Sequence, residues 1–209
     1  LSGVTSCAYA AAFSPDGRLL AACGGIGPIR LWEAPSGRPL APLGEASRAA
    51  TWYRSVAFSP DGAVLAAGCD DGTVELWDVA ARTNITTFKE HFRVVWGVAF
   101  SLDGRFLATS SSDATVQLWK MPSGEHIKGL PHAAALANVQ FSPDGTVLAS
   151  TDQTGVVRLW TMPQGALKAT LRPSTRPVQA AMQSFSPDGS LLASGGVVVH
   201  FWELTSGNV

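Results

Sequence analysis

The chain has 209 residues, of which 46% are hydrophobic, and a formal net charge of −1 at pH 7. This length permits one domain or two. The balanced charge gives no electrostatic reason to expect binding to nucleic acid or to an anionic membrane. The apolar runs are too short to span a bilayer and no charged-then-apolar leader is visible, so we expect a cytoplasmic protein.

The cysteines and histidines show no spacing typical of a metal site. Three cysteines, an odd number, stand at Cys7, Cys23 and Cys69, and the four histidines are scattered. We interpret the cysteines as small buried hydrophobes in a reducing compartment. The sequence therefore predicts no bound metal and no cofactor.

A short motif, F-S-x-D-G, occurs five times and is followed each time by a tryptophan. In most copies x is Pro, which presets φ for a tight turn, and Gly supplies the left-handed position. The copies occupy Phe13–Gly17, Phe58–Gly62, Phe100–Gly104, Phe141–Gly145 and Phe185–Gly189. The tryptophans are Trp32, Trp77, Trp119, Trp160 and Trp202, in steps of 41 to 45 residues. Such a period indicates stacked four-stranded units.

Each repeat predicts four antiparallel strands. In the third copy they are expected at Val94–Phe100, Arg105–Ser111, Thr115–Lys120 and Glu125–Leu130. The inner strands are apolar at consecutive positions, as in Leu19–Ala22, which indicates that both faces of each sheet are covered. Neighbouring repeats are the obvious cover, and this predicts radial packing of the sheets.

In these motifs the chain resembles the WD-repeat family of β-propellers, in its bacterial F-S-P-D-G form, and all five repeats match. The resemblance implies an all-β propeller domain over residues 1–209. Its five four-stranded blades fall at approximately 8–43, 53–88, 94–130, 135–171 and 180–209.

The predicted fifth blade is incomplete, because the chain stops at Val209 before a fourth outer strand. Three interpretations stay open. The chain belongs to a longer ring, for example one of seven blades, which we favour because it ends at a repeat boundary. Alternatively it closes as five blades, or its open edge pairs with a partner or with a second copy.

The family carries a structural hydrogen-bonded tetrad in each blade, formed by a His, a Ser or Thr, an Asp and a Trp. The third repeat matches it fully with His91, Thr109, Asp113 and Trp119. We therefore expect this repeat to be the most rigid, and its His to orient a turn rather than to activate a nucleophile.

The other repeats match the tetrad in part. The fourth has His132, Ser150 and Trp160, with Thr154 at the position of the Asp. The second keeps its Asp and Trp but has Ala49 and Ala67 at the other two positions. The first keeps only the Trp, and the fifth lacks the His and has a two-residue deletion before Trp202.

The sequence gives no sign of an enzyme. Glycosidase propellers need carboxylates in the central funnel, but the predicted funnel-lining strands contain no Asp or Glu. The glycine-rich segment Cys23–Gly27 lies between two strands and has no following helix, so it predicts a hairpin and not a phosphate loop.

The resemblance also places a binding surface on the top face of the propeller. There, the position four residues before the turn Phe lies at the mouth of the central channel, and the position before the tetrad Asp shares that face. Aromatic and Arg side chains dominate binding hot spots. The resulting candidate surface comprises Tyr9, Trp52, Arg54, Asp70, Phe92, Arg93, Trp96, Ser112 and Gln153. The alternative is that Trp96 plugs the channel and Trp52 packs on a neighbouring loop.

We expect a non-catalytic scaffold that binds a protein or peptide through this face. A second hypothesis is a sensor or regulatory domain of a larger bacterial signalling protein, such as a kinase or a nucleotide-switch ATPase. A third is a carbohydrate-binding propeller with Trp52 and Trp96 as stacking platforms. Fold alone does not decide among them.

Overall fold

The computed structural model of the chain describes residues 8–24, 27–44, 52–173, 182–195 and 198–204. Within these ranges it contains eighteen β-strands in five antiparallel sheets, and no helix. The prediction of an all-β chain built from propeller-type blades is confirmed. By contact the chain divides into two compact units, Leu1–Val98 and Ala99–Val209. Predicted positions such as Cys7, Ala49 and Val209 lie outside the described residues.

Each repeat forms one sheet, and we call the sheets blades 1 to 5. Blade 1 has strands β1 (Ala10–Phe13), β2 (Leu19–Cys23) and β3 (Arg30–Glu33). Blade 2 has β4 (Tyr53–Phe58), β5 (Val64–Cys69), β6 (Val74–Asp78) and β7 (Asn84–Phe88). Blade 3 has β8 (Val95–Phe100), β9 (Phe106–Ser111), β10 (Thr115–Lys120) and β11 (Glu125–Pro131). The predicted strands of the third copy match β8–β11 to within one residue at each end.

The last two blades follow the same order. Blade 4 has β12 (Leu136–Phe141), β13 (Val147–Asp152), β14 (Val157–Thr161) and β15 (Ala166–Leu171). Blade 5 has β16 (Met182–Phe185), β17 (Leu191–Gly195) and β18 (Val199–Glu203). In every sheet, strands that are adjacent in sequence are also neighbours in space.

Blade 1 differs from the expectation of four strands. Its fourth segment pairs only at isolated bridges, from Trp32 of β3 to Pro39 and from Ile29, just before β3, to Leu43. Pro39 and Pro42 lack the N–H that a regular ladder needs, so this edge cannot form a continuous strand.

The F-S-x-D-G motif forms the same turn in every blade. In blade 2, the Ser59 hydroxyl donates to Asp61 over 2.5 Å and accepts the N–H of Val64 at the start of β5. The Asp61 carboxylate also accepts the N–H of Ala63. Gly62 has a φ of +72°, a left-handed conformation that a glycine adopts without strain. The turn residues therefore join the first and second strands.

Each blade has two different faces, which we name by their residues. The Trp face of blade 2 carries the cross-strand trio Phe58, Leu65 and Trp77, and its Leu face carries Ala66 and Leu76. Within the first unit, the Leu face of blade 1 packs on the Trp face of blade 2 in one hydrophobic cluster.

The second unit repeats this arrangement twice. The Leu face of blade 3, with Ala108 and Leu118, packs on the Trp face of blade 4, with Phe141 and Trp160. The Leu face of blade 4 packs in turn on the Trp face of blade 5. Consecutive apolar positions in the sequence are thus explained by burial of both faces.

Candidate functional site

Four of the predicted surface residues meet around one guanidinium in the first unit. The Cζ atom of Arg54 lies 4.4 Å from the ring centroid of Tyr9, 4.9 Å from that of Trp52 and 5.2 Å from that of Trp96. The Tyr9 and Trp52 rings are themselves 6.3 Å apart. We call these four residues the Arg54 cluster. Three rings within about 6 Å of a cation make favourable cation–π contacts.

Backbone pairing holds the aromatic members in place. The N–H of Trp52 donates to the Asp70 carboxylate over 3.2 Å, and the N–H of Asp70 donates to the Trp52 carbonyl over 3.0 Å. The N–H of Tyr9 donates to the carbonyl of Cys23, just ahead of β1. Asp70 therefore helps to hold Trp52 in position within the cluster.

Arg54 occupies an irregularity of strand β4. The pairing register with β5 shifts between Tyr53 and Ser55, so that Arg54 is the extra residue of a bulge. A bulge bends the strand and redirects the side chain it carries. The matching position in blade 4, Ala137, lies in the same kind of shift between Leu136 and Asn138.

The charge of Arg54 is not neutralised within the described part of the chain. No carboxylate there forms an ion pair with it, and its buried Nε atom has no hydrogen-bond partner. A guanidinium offers five N–H donors in a planar fork. The guanidinium therefore lies among three rings without an acidic partner from the described residues.

Phe92 and Arg93 lie next to this region on the segment between β7 and β8. Both are exposed. The turn after β5 packs on their backbone, since a Cβ on Gly72 would come within 2.6 Å of the His91 carbonyl oxygen and 3.2 Å of the Arg93 nitrogen. The segment is thereby held against the turn that contains Asp70.

The last two predicted residues, Ser112 and Gln153, lie in the second unit. Ser112 is half-buried and Gln153 is exposed, with the N–H of Gln153 donating to the Ala135 carbonyl.

The F-S-x-D-G turns lie at the other end of the first strands. Arg54 is near the beginning of β4 and the turn follows its last residue, Phe58, about 13 Å further along at the usual rise per residue. Hydrogen bonds from the Ser101 and Ser186 hydroxyls are the largest cause that lowers the pKa of Asp103 and of Asp188 to about 2. These carboxylates are engaged in turn structure.

In the third repeat the structure links two of the predicted tetrad residues. Trp119 donates its indole N–H to the Thr109 hydroxyl over 3.3 Å. Asp113 accepts both the N–H and the hydroxyl of Thr115. His91 is buried in the first unit.

In the fourth repeat an aspartate lies beside the tetrad His, although the motif position of the Asp is occupied by Thr154. His132 Nε2 lies 2.7 Å from the Ser150 hydroxyl, which also accepts the indole N–H of Trp160 over 2.8 Å. The other ring nitrogen, Nδ1, is 3.6 Å from the carboxylate of Asp152. Asp152 stands two residues before Thr154, and its carboxylate accepts the N–H and the hydroxyl of that residue. Asp152 takes the first position of the Asp152–Gly155 turn, where the corresponding turn of the third repeat has Ser111.

This Ser–His–Asp arrangement is structural. Ser150 is fully buried and its oxygen is occupied by Trp160, so no substrate reaches it. Burial is the largest cause that lowers the pKa of His132, which keeps the ring neutral at pH 7. The pKa of Asp152 is lowered by hydrogen bonds from its neighbours, although burial alone opposes this.

In blades 2 and 5 the residues at the tetrad positions determine whether the repeat tryptophan has a hydrogen-bond acceptor. With Ala67 in place of a Ser or Thr, the buried indole N–H of Trp77 has no acceptor among the described residues. In blade 5 the deletion is accommodated, since Trp202 donates to the Ser194 hydroxyl over 2.8 Å. A buried pair that the sequence analysis missed is Tyr53 and Glu75, where the phenol donates to the carboxylate over 2.8 Å.

The described residues offer little else as a site. They contain no group of three or more His, Cys, Asp or Glu side chains suited to a metal ion. They also contain no helix long and apolar enough to cross a bilayer. Two surface depressions, of about 220 and 440 Å³, lie beside turn residues such as Asp144 and Arg18, and neither includes the Arg54 cluster.

The comparison with protein families finds one model along most of the chain. The WD domain, G-beta repeat model matches residues 1–25, 48–78, 82–120 and 124–161. The third match begins before β7 and ends with β10, so the family's repeat joins the outer strand of one blade to the inner strands of the next. No curated protein matches the chain.

Proposed function

Because the chain belongs to the WD-repeat family, we propose that it is a non-catalytic scaffold that binds a protein or peptide through the surface carrying the Arg54 cluster. WD-repeat propellers typically act as interaction scaffolds. The observation that carries the proposal is the guanidinium of Arg54 among three aromatic rings, with no acidic partner among the described residues.

The chemistry of the cluster favours an acidic partner. The three rings around the guanidinium restrict its freedom, and its planar fork of N–H donors matches the geometry of a carboxylate. Trp, Tyr and Arg are also the residues that most often dominate binding energy at interfaces. A peptide with an Asp or Glu side chain flanked by apolar residues matches both features.

The carbohydrate hypothesis is less well supported. Sugar binding by stacking needs free ring faces, whereas Tyr9, Trp52 and Trp96 each turn toward the guanidinium of Arg54. For the regulatory-domain hypothesis the same surface would serve, and no feature of the described residues separates it from a scaffold.

Selection from a random peptide library displayed on phage tests the proposal. We expect the peptides selected on the wild-type protein to be enriched in Asp and Glu. Their affinity, followed by quenching of tryptophan fluorescence, should fall about tenfold or more in the Arg54→Ala variant, which corresponds to a hot-spot loss above about 1 kcal/mol.

Two further variants serve as controls. Arg54→Lys keeps the charge but loses the planar fork, so the affinity should fall there too. Arg18→Ala removes an exposed arginine at the turn end and should leave the affinity unchanged. Selected peptides that bind Arg54→Ala as tightly as the wild type would refute the proposed surface.

A further inference from the structure

Phe92 is the most exposed large hydrophobic residue in the described part of the chain, and it lies close to the Arg54 cluster. It is 74% exposed. It stands four residues before Trp96, a member of the cluster, so the two Cα atoms are at most about 14 Å apart. Phe92 and all four residues of the cluster belong to the first unit. One short peptide can therefore reach both features.

The segment that carries Phe92 is held at both of its ends. His91 and Val95 flank it and are at most 5% exposed. A Cβ on Gly72 would come within 2.6 Å of the His91 carbonyl oxygen. A Cβ on Gly68 would come within 2.7 Å of the Val95 Cγ1 atom. Phe92 is thus presented on a fixed backbone, and an anchor that is already fixed in the free protein loses little conformational entropy on binding.

A tight turn between β5 and β6 connects the cluster to Phe92. Asp70, near the beginning of this turn, exchanges two hydrogen bonds with the backbone of Trp52 and through its carboxylate. Gly72, near its end, packs against the backbone next to Phe92. The cluster and Phe92 therefore lie on two sides of one turn, which sets their separation.

The charges of this surface change from one part to the next. Arg54 brings a positive charge to the cluster, and no carboxylate among the described residues forms an ion pair with it. The turn brings the carboxylates of Asp70 and Asp71, and Asp71 is exposed. An acidic group of a partner is attracted at Arg54 and repelled over the turn. An apolar group is favoured at Phe92, because contact there removes apolar surface from water.

We propose that the partner is an extended peptide segment with two anchors, an Asp or Glu that binds Arg54 and a large apolar residue that packs on Phe92. The two anchors lie within about five positions of each other, because an extended chain rises about 3.3 Å per residue. The positions between them are not acidic. This inference rests on the proposed function and adds to it a second anchor, a spacing and a charge pattern.

Parallel selections from a random peptide library, on the wild-type protein and on Phe92→Ala, give the first test. On the wild type we expect an acidic and a large apolar residue within about five positions, with Asp and Glu depleted between them. On Phe92→Ala the acidic residue should stay enriched, whereas the apolar residue at that spacing should disappear. The same pattern on both proteins would overturn the proposal.

A double-mutant cycle with one peptide selected on the wild type measures the contact itself. Phe92→Ala, and replacement of the apolar peptide residue by Ala, should each lower the affinity about tenfold in titration calorimetry. Together they should lower it little more than either change alone, because both remove the same contact. Replacement of the acidic peptide residue should couple in this way to Arg54→Ala. Additive effects of Phe92→Ala and the apolar replacement would contradict the proposal.

The matched control is Ile85→Ala, which truncates another exposed apolar residue of the first unit. Ile85 follows Asn84, which lies opposite Trp77 at the turn end of blade 2. This variant should bind the peptide like the wild type, and both variants should keep the wild-type circular dichroism because they change exposed side chains. A loss of affinity in Ile85→Ala as large as that in Phe92→Ala would count against the second anchor.

The results separate this inference from the proposed function. Peptides that need Arg54 but bind Phe92→Ala with wild-type affinity would overturn the second anchor and leave the proposed function intact. Peptides that bind Arg54→Ala as tightly as the wild type would refute the proposed function, and the two-anchor peptide with it.

Discussion

Each aspartate of the F-S-x-D-G turns accepts a hydrogen bond from one serine hydroxyl. In all five turns a serine hydroxyl donates to the aspartate two residues later over 2.5 to 2.6 Å. Charge-assisted bonds of this kind favour the ionised carboxylate, and the pKa is lowered at each of these aspartates. The motif thus forms five local hydrogen-bonded turns that protonation of the aspartate would weaken.

We expect the protein to lose stability as the pH falls from about 4 to about 2. A carboxylate whose pKa is lower in the folded state stabilises the fold above its unfolded pKa of about 3.9, and this contribution is lost as the pH falls through the folded value. For Asp103 the folded pKa is about 2. The melting temperature of Asp103→Asn should lie below that of the wild type at pH 5, and the difference should narrow toward pH 2. A difference that stays constant over this range would contradict the expectation.

The Ser150 hydroxyl holds together the buried network of the fourth repeat. In Ser150→Ala the indole N–H of Trp160 would be buried without an acceptor, and His132 would lose its partner. We expect a loss of about 1–3 kcal/mol in the free energy of unfolding, measured by urea denaturation. Ser184→Ala, which removes an exposed hydroxyl, should change it by less than about 0.5 kcal/mol. Equal effects would contradict the structural role.

At the scale of the elements, the turn between the second and third strands needs a left-handed residue. Blades 2 and 4 place Gly72 and Gly155 there, with φ of +89° and +82°. Blade 3 places Ala114 there, with a φ of +65°. A non-glycine residue pays for this conformation with steric strain between its Cβ and the backbone.

This difference predicts opposite effects for two exchanges. Ala114→Gly should stabilise the protein by about 0.5–1 kcal/mol or less. The removal of backbone strain stabilises the folded state, and the greater freedom of the unfolded chain offsets part of that gain. Gly72→Ala should destabilise it by more than about 1 kcal/mol, because the new Cβ would also clash with the His91 carbonyl. Urea denaturation measures both. The reference exchange is Gly17→Ala, where nothing lies within 4 Å of the added Cβ and only the cost of the positive φ remains.

The elements also show what the sequence could predict. Strand positions followed from the turn motif, because Ser, Asp and Gly fix each hairpin locally. The weak fourth segment of blade 1 was readable in principle from Pro39 and Pro42. The bulge at Arg54 was not, since a register shift depends on how β4 and β5 pair and not on residue types. Asp152 was missed because it occupies the first position of its turn, where the third repeat has Ser111, and not the third position, where the motif places its Asp.

For the molecule as a whole, residues that stabilise the fold and residues proposed to bind a partner lie at opposite ends of the first strand of blade 2. The turn end of β4 is fixed by the Ser59 and Asp61 side chains, which are engaged in local hydrogen bonds. Its other end carries Arg54, whose charge has no acidic partner among the described residues. A variant at one end should therefore affect one property and leave the other largely intact.

The most direct test compares Arg54→Ala and Asp61→Asn in both properties, with a library-selected peptide as the probe. Arg54→Ala should weaken binding about tenfold or more while the protein stays folded, since a hot-spot arginine is lost. Asp61→Asn should lower the melting temperature while the peptide binds with unchanged affinity. If the peptide binds normally to Arg54→Ala and weakly to a folded Asp61→Asn variant, the partner uses the turn end, and the assignment of the Arg54 cluster as the binding surface is wrong.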